Sequence, residues 1–240
     1  MDQLLIALDV PTGSEALRLA DLLRGTVGGF KIGSQLFTAE GPAIVRALTG
    51  KGDRVFLDLK FHDIPNTVAN AVAAATSLGV WMVNVHASGG TKMMQAAAEA
   101  ARKSAGAEGR QAPLVIAVTV LTSMTAAALS ETGTNVPVID QVSRLARLAQ
   151  QSGLDGVVAS AQETSTIRGR CGPGFVIVTP GIRGGAAATS KDDQERTLTA
   201  GSAIAAGSSY LVVGRPVIAA PDPRAAAERI ADEIRSSHLV

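Results

Sequence analysis

Short apolar runs rich in β-branched residues recur eight times along this chain, and no other feature limits its fold as severely. They are Leu4–Leu8, Gly29–Ile32, Val55–Leu59, Trp81–Val85, Leu114–Val118, Gly156–Val158, Val176–Val178 and Tyr210–Val213. None alternates clearly between apolar and polar residues, which is the pattern of strands buried on both faces in a parallel sheet. Parallel neighbours need long crossover connections, and helical patterns fill the gaps. Glu15–Arg24 sets Leu19, Leu22 and Leu23 on one face, with Thr12 and Glu15 spaced for a capping box. Asn66–Leu78 turns Val68, Val72 and Ala75 inward and stops at Gly79, while Gln141–Gln151 groups Leu145, Leu148 and Ala149 and stops at Gly153. A last helix opens on Pro223 behind Asp222 and brings Ala226, Ile230 and Ile234 onto one stripe.

Eight strand–helix units within 240 residues predict an α/β fold, a single-domain (β/α)8 TIM barrel over 1–240. A doubly wound sheet shares the alternation, but the segment after the first run lacks the Gly-x-Gly-x-x-Gly turn of a dinucleotide fold. No linker, low-complexity stretch or compositional break divides the chain. Charge is nearly balanced, with 22 basic against 21 acidic residues, so neither a nucleic-acid-binding face nor an acidic tail is expected. No apolar run approaches the roughly 20 residues that span a bilayer. Met1-Asp2-Gln3-Leu4 lacks the features of a signal peptide. The lone Cys171 has no internal disulfide partner, and a cytoplasmic location follows as the expectation.

Catalytic groups of such barrels lie at the carboxyl ends of the strands, so those ends are the test. The first run ends at Asp9, and Lys31 follows Phe30 in the second. The third reaches Asp58, Lys60 and Asp63; the fourth, Asn84 and His86; the fifth, Thr119, Thr122 and Ser123. Ionisable residues are thus expected at the strand ends and not within the strands. Asp58 and Lys60, two apart on a strand, point the same way. Burying such a pair costs several kcal/mol per ion even after relaxation, and a third charge at Asp63 makes a purely structural ion pair the weaker reading.

Thr179-Pro180-Gly181-Ile182-Arg183 follows the seventh run and Gly214-Arg215-Pro216 the eighth. Barrels commonly bind phosphate between these two loops. Arg183 and Arg215, each near a glycine, fit a phosphorylated small molecule. Gly181–Gln194 is the longest segment without a pattern, placed where a closing loop belongs. His62, His86 and His238 show no ligand spacing. Lys31 and Lys60 bring positive charge to the place where a cation would need converging carboxylates. No serine–histidine–acid set or activated cysteine is evident.

The segment Asp58-Leu59-Lys60-Phe61-His62-Asp63-Ile64-Pro65-Asn66-Thr67 resembles the signature of the orotidine 5'-phosphate decarboxylase family. Leu8-Asp9, Phe30-Lys31-Ile32-Gly33, Val120-Leu121-Thr122-Ser123, the loops carrying Pro180 and Gly214, and Gln194 follow in family order over nearly the whole chain. The resemblance implies a cofactor-free decarboxylase, a homodimer, that turns orotidine 5'-monophosphate into uridine 5'-monophosphate in pyrimidine synthesis. It implies that Lys31, Asp58, Lys60 and Asp63 form a charged network in which Lys60 protonates carbon 6. Asp63 and Thr67 would reach into the partner's site. Asp9 and Lys31 would hold ribose hydroxyls, Thr122 or Ser123 the pyrimidine edge, and Gln194, Arg183 and Arg215 the phosphate, with Pro180 and Gly214 also lining the substrate. Two alternatives are a metal-dependent sugar-phosphate decarboxylase or synthase of the same superfamily, which carries a carboxylate at the position of Lys31, and a non-catalytic nucleotide-binding barrel.

Overall fold

The computed structural model describes residues 2–182 and 198–237. All eight runs are strands: β1 Leu4–Ala7, β2 Gly29–Gly33, β3 Val55–Phe61, β4 Met82–His86, β5 Leu114–Val118, β6 Gly156–Val158, β7 Val176–Pro180 and β8 Tyr210–Val213. They pair in parallel in sequence order, and β8 closes on β1, giving a closed eight-stranded barrel. In chain order the helices are α1 Gly13–Leu23, α2 Ser34–Glu40, α3 Pro42–Thr49, α4 Pro65–Ser77, α5 Gly90–Ala107, α6 Ala126–Glu131, α7 Val138–Gln151, α8 Thr164–Cys171, α9 Ala200–Ala205, α10 Arg215–Ile218 and α11 Pro223–Ser236. Among the described residues no helix is long and apolar enough to cross a membrane.

Helix ends obey local chemistry. Thr12 Oγ1 accepts the Glu15 N–H at 3.3 Å, one half of the expected box, and α1 begins two residues earlier than the pattern suggested. Asp222 caps α11 through the Ala225 N–H, with Pro223 in the first turn. Gly79 and Gly153 sit just past their helices at φ +79° and +78°, where an L side chain would be strained.

Two apolar layers account for the unbroken apolar runs. Leu4, Ile6, Phe30, Ile32, Leu57, Val83 and Val85 point outward and pack with the helices. Leu5, Ala7, Phe56, Met82, Ile116, Val178 and Val212 fill the barrel. The split is the two-residue period of a strand with apolar matter on both sides. At the amino-terminal end, Trp81 meets Tyr210 edge-to-face at 5.0 Å, and the Arg54 guanidinium lies 4.4 Å from the centre of the Trp81 ring.

The expectation that charges avoid strand interiors is wrong. β2 runs on to Gly33 and β3 to Phe61, so Lys31, Asp58 and Lys60 all lie within strands. The inner-face period carries the first two: Gly29, Lys31 and Gly33 on β2; Phe56 and Asp58 on β3; and, beside them, Met82, Asn84 and His86 on β4. Apolar inner residues give way to polar ones toward the carboxyl-terminal rim, where all eight parallel strands end.

Candidate active site

A row of alternating charge crosses this rim. Lys31 Nζ donates to Asp9 Oδ1 at 3.0 Å and lies 3.4 Å from Asp58 Oδ2. Lys60 Nζ donates to Asp58 Oδ1 at 2.7 Å. The Lys31 and Asp58 side chains are only 10% and 12% exposed, whereas those of Lys60 and Asp9 are 35% and 49% exposed. The centre of the row is thus sequestered and both ends stay open to a ligand. Each buried charge has an opposite charge beside it, the condition under which buried ions are tolerated.

The backbone is specialised here. Leu57 pairs with Val83 and Phe61 with Val85, so four steps along β3 span two steps along β4. This bulge re-aims the side chains it carries. Within it Lys60 adopts φ +54°, the sole positive φ at a non-glycine among the described residues. Asp58 and Lys60 do meet as expected, but through this irregularity and not through regular alternation. Gly33 leaves room for the row: a Cβ there would stand 3.0 Å from Lys31 Nζ and 3.2 Å from Asp9 Oδ1.

Asn84, fully buried, accepts the Lys60 N–H through Oδ1 at 2.8 Å and donates from Nδ2 to Asp58 Oδ1 at 2.6 Å. The sequence placed it at a strand end without a role; its signal was the period of Met82, Asn84 and His86. The His86 and His62 rings are 5.4 Å apart. Burial, then the nearby His62 and Lys60, hold the His86 imidazole below its ordinary value despite the opposing pull of Asp58.

A protein-family model for the orotidine 5'-phosphate decarboxylase / HUMPS family matches residues 2–230. The chain belongs to this family. The orotidine 5'-phosphate decarboxylase of Moorella thermoacetica is 55% identical over 234 residues, covering 97% of this chain and 92% of its own. That of Chromohalobacter salexigens is 55% identical over 231 residues, covering 96% and 95%. Among solved structures, the orotidine 5'-phosphate decarboxylase of Lactobacillus acidophilus superposes with a TM-score of 0.85 at 37% identity, covering 96% of this chain and 98% of that one.

The other described residues that the decarboxylase family signature singles out lie around the same rim. Asp63 follows β3 and is exposed; its Oδ1 accepts the Ile64 N–H at 2.6 Å, and among the described residues it makes no ion pair with Lys31 or Lys60. Ile64 is extended at φ −58°, ψ 152° ahead of Pro65, as a residue preceding proline should be. Thr67 is exposed in the first turn of α4. Thr122 and Ser123 occupy the turn between β5 and α6, which the Met124 N–H closes onto the Leu121 carbonyl. Pro180 ends β7, and Gly181 takes φ +78°, which requires glycine. Gly214 differs: its φ is −111°, and a Cβ would meet Ala7 Cβ at an ordinary 3.5 Å, so close packing does not demand a glycine there. Arg215 opens α10 directly after it. Arg183, Gln194 and most of the segment expected to close over the site, as well as His238, lie outside the described residues.

Proposed function

We propose that this chain decarboxylates orotidine 5'-monophosphate to uridine 5'-monophosphate and carbon dioxide. The observation that carries this reading is the row Asp9, Lys31, Asp58, Lys60, closed in its middle and open at its Lys60 end. Breaking the bond from carbon 6 to its carboxylate leaves the electron pair on carbon 6, with no adjacent carbonyl placed to accept it. A fixed ammonium beside that carbon stabilises the charge as it develops. A proton then passes from Lys60 Nζ to carbon 6, and solvent reprotonates the amine. Asp58, facing the substrate carboxylate, opposes the ground state and is relieved as carbon dioxide departs; this is the smaller contribution. The larger ones are the Lys60 charge and binding energy from the phosphate end. Asp9 and Lys31 hold the ribose hydroxyls, and Thr122 or Ser123 meets the pyrimidine. Pro180 and Gly214 line the substrate, with Arg215, Arg183 and Gln194 at the phosphate.

The metal-dependent synthase reading needs a carboxylate where Lys31 stands. Here a divalent cation would have to displace two ammonium groups from the two carboxylates it sought. Loss of orotidine monophosphate absorbance, followed with and without chelator, tests the assignment. Turnover indifferent to chelator is expected. Turnover abolished by chelator would point to the synthase class, and binding without turnover to a non-catalytic barrel.

The same reading makes the protein a cytoplasmic homodimer in which Asp63 and Thr67 complete the partner's site. It is supported by the Asp63 carboxylate, which is unused by the charged row of its own chain, and by its neighbour Ile64, an apolar side chain 66% exposed. Lys60→Ala and Asp63→Ala chains should each be nearly inactive. Mixed after mild dissociation, they should recover up to about a quarter of wild-type activity, because random pairing makes half the dimers mixed, each with one intact site. No recovery despite demonstrated subunit exchange would show that Asp63 serves its own subunit.

A further inference from the structure

We infer that Asn84 is a positioning residue for Lys60 and Asp58, holding the proton donor and its carboxylate partner as one rigid unit. Among the described residues, its carboxamide is the sole group seen to hydrogen-bond to both, apart from their mutual ion pair. The amide has one orientation that satisfies both neighbours. The Lys60 N–H can only donate, so an oxygen must face it, and the Asp58 carboxylate accepts, so nitrogen must face that. Asn84 is 0% exposed and cannot reach substrate; it acts through the two residues it holds.

The register explains why this position does so. Continued in regular pairing, β3 would bring Lys60 opposite His86. With the bulge, Phe61 pairs with Val85, which draws Lys60 back level with Asn84. The Lys60 N–H then has no place in the ladder, and the Asn84 side chain takes it. That bond ties down the residue whose left-handed φ aims Nζ at Asp58. The second amide bond fixes the same Asp58 oxygen that receives Nζ. A donor misplaced by 1 Å can cost about a hundredfold in rate, so a rigid mount has kinetic value.

This inference rests on the decarboxylase reading, and its test separates the two. Asn84→Ala should lower kcat about a hundredfold while KM stays within about threefold, because the residue touches no substrate. Asn84→Asp keeps the acceptor for Lys60 but sets a second carboxylate against Asp58. Two such groups share a proton, so its kcat should be poor at neutral pH and recover toward acid relative to wild type. The other ionisable groups facing the row are Asp9, Lys31, Lys60, His62 and His86, and these are common to both proteins. In the wild-type protein, the Lys60 amide should exchange with deuterium more slowly than the neighbouring His62 amide, a measurement that no folding defect can compromise. Asn84→Ala with kcat within threefold of wild type, an Asn84→Asp profile parallel to wild type, or an unprotected Lys60 amide would each overturn the assignment. A wild-type protein that leaves orotidine monophosphate untouched would sink the decarboxylase reading instead, and amide exchange would then judge the Asn84–Lys60 contact alone.

Discussion

Replacing Lys60 with alanine and with glycine tests its chemistry and its backbone together. Both substitutions remove the ammonium held 2.7 Å from Asp58, so both should abolish decarboxylation. A folded variant retaining a tenth of wild-type turnover would exclude Lys60 as the proton donor. Stability should separate the two. Within an ordinary strand glycine is worse than alanine by about 0.5–1 kcal/mol, because it gives up more backbone freedom on folding. At φ +54° alanine carries a left-handed penalty of about 1–2 kcal/mol that glycine escapes. The second effect is the larger, so Lys60→Gly should be more stable than Lys60→Ala, by up to about 1.5 kcal/mol. In a domain of this size each kcal/mol shifts Tm by roughly 2–4 °C, an offset that calorimetry at pH 7 resolves. The same pair placed at Leu57, in regular pairing, should give the opposite order. Lys60→Ala melting above Lys60→Gly would refute the strained conformation, and with it the account of how Nζ is aimed.

Arg215→Ala should reduce kcat/KM on the nucleotide by at least tens-fold, from about 2–4 kcal/mol of lost charge-assisted bonding to phosphate. On the nucleoside lacking phosphate it should change little, and equal losses on both substrates would contradict the phosphate assignment. His86 is held below its ordinary value of 6.5, chiefly by burial, so below that pH the unfolded chain binds a proton that the folded one refuses. Stability should therefore be level above pH 6.5 and fall as pH drops from there toward the lower folded value. Urea melts at pH 8 and pH 5.5 should show a smaller loss for His86→Gln than for wild type, and an equal loss would remove His86 as the cause.

The strands were legible because a barrel strand has apolar matter on both faces, which leaves an unbroken run in the sequence. The ends are less legible: the runs stop at Ile32 and Leu59, yet β2 continues to Gly33 and β3 through Lys60 to Phe61, because the charges there have partners. The Lys31–Asp58 contact joins two strands, and cross-strand neighbours depend on register, which composition does not report. Between β2 and β3 the helical pattern is two short helices and not one, because Gly41, at φ +63°, separates them.

The bulge in β3 was invisible for a different reason. A turn announces itself through glycine or asparagine at the left-handed position, but here that position is a lysine, and propensity argues against it. What holds lysine there is tertiary. The Asn84 carboxamide takes its N–H, and Asp58 takes its Nζ. A strained backbone persists where its surroundings over-determine it, and such strain gathers at functional sites. The residue that local rules place worst is therefore the one on which the proposed chemistry turns. Replacing it with glycine should cost less stability than replacing it with alanine, while either change removes the side chain that does the work.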